Sequence, residues 1–132
     1  MPTQNPFKAI TAVDYTVIYA RDLPAMIQFY ETVLGFDLTR SLSSTWREYN
    51  IGANIFVLAK PGPTATDQPV PDGTAALQLA FKVTREIVDL CAAELTRQNV
   101  EILSPPTDRD FGHRTLFFRD PDGNLLEIYA EI

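Results

Sequence analysis

The segment Asp14–Asp22, DYTVIYARD, lies over the segment Leu77–Arg85, LQLAFKVTR, and that overlay decides the fold. Each is an apolar run leading into a helix start. Each is followed by a helical pattern, Leu23 to Leu34 in one case and Arg85 to Gln98 in the other, and then by three short candidate strands. The order βαβββ therefore occurs twice, and internal duplication of this kind argues for two similar sheets related by a pseudo-twofold. Between the copies, KPGPTATDQPVPDG (Lys60–Gly73) is rich in proline, glycine and small polar residues and reads as a linker. The expectation is one α+β domain over residues 1–132, with a first module over about residues 10–60, a linker over about 61–74 and a second module over about 75–132.

Local signals fix the helices. Asp22 caps the first, Pro24 sits in its first turn where a missing N–H costs nothing, and Gly35 supplies the left-handed residue that ends it. Thr84 takes the capping position of the second. Met26, Ile27, Tyr30 and Leu34 in one helix, and Ile87, Leu90, Cys91 and Leu95 in the other, recur at helical spacing and predict one buried stripe each.

Strand alternation then assigns faces. Leu77, Leu79, Phe81 and Val83 share one side and Gln78, Ala80 and Lys82 the other; Leu126, Ile128 and Ala130 oppose Leu125, Glu127 and Tyr129. Laying GANIFVLA (from Gly52) over GNLLEIYA (from Gly123) matches Phe56 to Glu127, as Tyr15 matches Gln78. On this reading Tyr15, Phe56, Gln78 and Glu127 face the side away from the helices. In the turn DPDGN, Pro121 fixes φ and Gly123 accepts positive φ, which marks a tight turn into the last strand.

Composition narrows the function classes. Eleven Lys+Arg against seventeen Asp+Glu give a net charge of −6 with no basic cluster, which excludes a nucleic-acid backbone as partner. No run reaches the length of a membrane span, and the start MPTQNPFKAI lacks the basic and apolar regions of a secretory signal, so a cytoplasmic address is expected. The single cysteine, Cys91, reads as a small buried apolar residue. The single histidine, His113, reads as a solvated loop residue ahead of the seventh strand.

VDYTVIYARDLPAMIQFYETVLGFDL (from Val13) and FGHRTLFFRDPDGNLLEIYAEI (from Phe111) resemble the vicinal-oxygen-chelate superfamily, which includes glyoxalase I, bleomycin-resistance proteins and extradiol dioxygenases. The resemblance implies paired βαβββ modules forming a curved mixed sheet around a cleft, helices on the outer face, commonly within a homodimer. It also implies metal-ligand positions at Tyr15, Phe56, Gln78 and Glu127. Phenylalanine cannot ligate and a protonated phenol is a poor ligand for a hard cation, so only Gln78 and Glu127 remain as donors. No cofactor is expected. A divalent zinc, nickel or manganese ion on those two residues is the alternative, and one histidine disfavours a ring-cleaving dioxygenase.

Three roles stay open for Glu127: metal ligand, ion-pair partner of Arg47 or Arg114, or a general base desolvated by Phe56 and Tyr15. Two functions follow. One is a binder of a small molecule in an aromatic cleft, with Tyr15, Tyr19, Trp46, Tyr49, Phe56 and Tyr129 as candidate lining and Arg47 and Lys82 as candidate charges; core packing is the competing explanation for each ring. The other is a glyoxalase-type lyase or isomerase with Glu127 as base, Tyr15 as acid and Gln78 as polarising donor.

Overall fold

The computed structural model describes residues 5–60 and 77–132. The linker expected over 61–74 lies outside the described residues. The first module runs β1 (Tyr15–Tyr19), α1 (Leu23–Gln28), β2 (Asp37–Ser43), β3 (Trp46–Ile51), β4 (Asn54–Ala59); the second runs β5 (Gln78–Lys82), α2 (Arg85–Arg97), β6 (Ile102–Asp108), β7 (His113–Arg119), β8 (Leu125–Glu131). Each makes its own four-stranded mixed sheet, ordered β1-β4-β3-β2 and β5-β8-β7-β6, with the first and last strands of each module parallel. The helix supplies the crossover that a parallel pair needs. Pro105 and Pro106 lie on β6, an edge strand, where a missing N–H interrupts no central ladder.

The start of the first helix is built as read. Asp22 Oδ1 accepts from the Ala25 N–H at 3.1 Å, and Gly35 has φ +69 beyond the end. After Gln28 the helix widens into a π-helical turn over Phe29–Val33, which the spacing of apolar residues did not reveal. Thr84 stands at the N-cap of α2 in extended conformation but makes no side-chain cap bond. The buried stripe of α2 is also shifted: Val88 and Leu95 are buried while Ile87 and Leu90 are exposed. Cys91, half-buried on the edge of that stripe, has its thiol pushed up by burial, as an inert packing residue would.

One apolar core joins the halves. Ile18, Leu23, Met26, Phe29 and Tyr30 of the first module cluster with Val88, Leu95, Leu116, Phe118 and Leu126 of the second. Ring contacts cross the seam from Phe29 to Phe118 (6.4 Å) and from Phe36 to Phe81 (5.8 Å). The helix-bearing faces of both sheets are thus used up in the common core, and the opposite, open faces are left for something else.

The DPDGN turn is a latch between the halves. Asp122 accepts from the Arg21 and Asp22 N–H groups at 2.6 and 3.1 Å, and the Arg21 guanidinium donates to the Asp122 carbonyl. Buried Asp120 accepts from the Asp122 and Asn124 N–H groups, the Asn124 amide and the Tyr30 hydroxyl. Burial raises the Asp120 carboxyl above its ordinary value, against the pull of the Asn124 and Tyr30 bonds. Gly123, at φ +89, lets the chain turn there.

Candidate functional site

In the first sheet, alternation along β1 sends Ile18 to the core and leaves Tyr15 half-exposed on the open face. Along β3, Trp46 and Glu48 share that open face, and along β4 Ile55 and Val57 do. Together with Asp14 and Leu42 these side chains line a hollow of about 340 Å³. The Tyr15 and Trp46 rings stand 6.4 Å apart at 77°, so they form two walls of a corner. Trp46 Nε1–H donates to Glu48 Oε2 at 2.8 Å, which fixes the indole and leaves carboxylate oxygen lone pairs unused by it.

On the open face of the second sheet, Gln78 Nε2 donates to Glu127 Oε1 at 3.2 Å. Further along, His113 stacks on Tyr129 at 4.5 Å and 25°, with the exposed Phe111 ring edge-on to it at 5.3 Å. His113 is therefore the first residue of a strand, on the face of Glu127 and Tyr129, and not a solvated loop residue. Its in-strand position was hidden because the turn ends at Gly112, whereas the polar run DRDFGHRT continues to Thr115. Lys82 Nζ pairs with Glu131 at 3.2 Å, which balances the positive charge expected there.

Phe56, Tyr49 and Arg47 point the other way. Phe56 is 3% exposed and packs in the core against Tyr30 (4.8 Å), Phe36 (5.8 Å) and Tyr49 (6.1 Å). The cause is a one-residue slip in the match of the two halves. Tyr15 pairs with Ile55 and Val17 with Val57 in one sheet; Gln78 pairs with Leu125 and Ala80 with Glu127 in the other, so Val57, and not Phe56, takes the place of Glu127. The two glycines that suggested the match sit in turns of different length, Gly52–Ala53 against Asp120–Asn124, and a slip of one exchanges the faces of a strand.

Tyr49 and Arg47 serve Glu31 of the π-helical turn. Its Oε2 accepts from the Tyr49 hydroxyl at 2.7 Å and from Arg47 Nε and Nη2 at 3.1 and 2.8 Å. Partial burial pushes the Glu31 carboxyl up, but the bonds from Tyr49 and Arg47 outweigh it and hold the group below its ordinary value. The same arrangement, led by burial, pushes the Tyr49 hydroxyl up to about 12. Arg114 pairs with Asp89 and Asp108, both at 2.8 Å. Neither arginine is the partner of Glu127, and Phe56, turned into the core, is not its neighbour.

The inherited ligand positions thus hold a phenol, a valine, an amide and a carboxylate. Among the described residues no group of three or more His, Cys, Asp or Glu is placed to hold a metal ion. A catalytic zinc takes three protein ligands, more than the amide and carboxylate that these positions supply within one chain. Nor does any described hydrogen bond or ring contact join Tyr15 or Trp46 to Gln78 or Glu127 within the chain.

The paired βαβββ sheets coincide with a match of residues 12–128 to the Glyoxalase/Bleomycin resistance protein/Dioxygenase superfamily. The chain belongs to that superfamily. It is 30% identical over 129 residues to the uncharacterised protein YaeR of Escherichia coli (strain K12), covering 93% of this chain and 92% of that protein. It is 29% identical over 125 residues to the virulence protein STM3117 of Salmonella typhimurium, covering 90% and 83%. The crystal structure of STM3117 superposes with a TM-score of 0.73 at 27% identity, over 93% of this chain and 98% of that one. A lactoylglutathione lyase from Agrobacterium tumefaciens shares the fold, with a TM-score of 0.74 at 21% identity over 92% and 94%. No described helix is long and apolar enough to cross a membrane.

Proposed function

We propose that this superfamily member binds a small molecule on the open face of its first sheet, in the hollow walled by Tyr15 and Trp46. The hollow carries the reading. Its volume of about 340 Å³ falls at the lower end of the range for small-molecule sites, its walls are aromatic and aliphatic, and its polar groups are few. The carboxylates of Asp14 and Glu48 in its lining, with no basic side chain among the described lining residues, make it unsuited to polyanions.

The working unit in this reading is a homodimer. Both helix faces are buried in the core of one chain, so Tyr15 and Glu127 meet a common ligand only when the second sheet of another copy covers the first sheet of this one. Support comes from the apolar side chains left on the surface, with Tyr15 50%, Leu42 54% and Phe111 71% exposed. The Gln78–Glu127 pair favours a second reading, a lyase or isomerase in which Glu127 takes a proton from a bound substrate while Gln78 steadies the carboxylate.

Trp46 is the sole tryptophan, so emission from the unmodified chain reports the hollow directly. Titration with flat aromatic amphiphiles is expected to shift that emission and raise the melting temperature, and Tyr15→Ala to weaken both responses. Ligands that stabilise the protein without touching Trp46 emission would place the site elsewhere. Proton exchange into a bound carbonyl compound, lost in Glu127→Gln, would support the enzyme.

A further inference from the structure

We propose that the hollow selects a methylated ammonium group, held in the corner between Tyr15 and Trp46 and countered by Glu48. This rests on the hollow being the ligand site, and it adds the chemical class. Two rings at 77° offer adjoining walls to one small rounded head, and the indole face is the strongest aromatic partner for a cation. A methylated ammonium suits such a corner because its charge is spread over methyl groups that lose little hydration on contact with the rings and the side chains of Leu42, Ile55 and Val57.

Glu48 is the residue that converts an aromatic corner into a cation site. Its Oε2 takes the Trp46 indole N–H at 2.8 Å, so a single side chain both orients the ring and places a negative charge beside it. Asp14 adds a second carboxylate at the edge. Arg40, across the strand from Glu48, forms no described ion pair with it and is not part of the lining. A neutral ring of the same size would gain the apolar contacts without the charge attraction, and an anion would meet two carboxylates.

The test uses three molecules of one shape and different charge, followed by Trp46 emission on the intact chain: choline, its uncharged isostere 3,3-dimethyl-1-butanol, and the anion 3,3-dimethylbutanoate. Choline is expected to bind about tenfold more tightly than the alcohol, and the anion more weakly than either. Glu48→Gln keeps an acceptor for the indole N–H, and is expected to bring the ratio of choline to alcohol close to one. Equal binding of choline and alcohol by the unaltered protein, or an unchanged ratio in Glu48→Gln, overturns the charge selectivity while leaving the hollow as the ligand site. If none of the three binds and aromatic amphiphiles also leave Trp46 emission unmoved, the hollow itself is not the ligand site and both proposals fall.

Discussion

Asp120 and Glu31 are both carboxylates tied by tyrosine hydroxyls, yet their surroundings move them in opposite directions. Asp120 is buried and its desolvation prevails, so its contribution to stability is full below the ordinary value of 3.8 and is lost as the pH rises through the raised native value. Glu31 is held below its ordinary 4.5, so its contribution is full above that value and is lost as the pH falls through the lowered native one. Thermal melts between pH 7 and pH 3 should therefore show an acid-side loss of melting temperature that is shallower in Glu31→Gln. Removing the Tyr30 hydroxyl tests the latch. Tyr30→Phe keeps the packing, deletes one of the Asp120 donors, and is expected to cost about 1–2 kcal/mol in urea denaturation. Asp120→Ala leaves several buried donors without an acceptor and should cost on the order of 3 kcal/mol.

Among the elements, β4 is where the face of a side chain matters most and was least legible. Gln78 and Lys82 in β5, and Glu127 in β8, break an apolar alternation and declare which side is open. In β4, Ile55, Phe56, Val57 and Leu58 are all apolar, so alternation has nothing to choose between, and the glycine match chose the wrong face. Phe56→Ala is accordingly a core truncation and should cost about 3–5 kcal/mol in chemical denaturation, an effect a ligand-facing ring would not produce. In α2, the apolar residues Ile87 to Leu95 admit two neighbouring stripes. Leu90→Gln should stay within about 0.5 kcal/mol of the unaltered protein, while Leu95→Ala should cost about 2–5 kcal/mol. Caps at Asp22 and Gly35 were readable because they act within one turn. The Tyr30–Asp120 bond spans 90 residues and has no local signal.

At the scale of the whole molecule, the duplicated βαβββ unit, visible in the sequence, brings the helix sides of two sheets into one core and leaves two open faces. The four positions that the resemblance implies as ligand sites correspond, by strand register, to Tyr15, Val57, Gln78 and Glu127, of which only the last two carry donors suited to a hard cation. The exposed apolar side chains around those faces predict self-association, so light scattering of the purified protein should give a mass near twice the 14.8 kDa of the chain. A monomer at micromolar concentration would contradict the homodimer reading.

The most direct test of the binding face is a crystal structure of the protein with phenyltrimethylammonium. The ammonium is predicted to lie within about 6 Å of both the Tyr15 and the Trp46 ring centroids, beside Glu48. A ligand seated instead on the helix side, against Phe118 and Leu95 in the smaller hollow between the π-helical turn and α2, would contradict it.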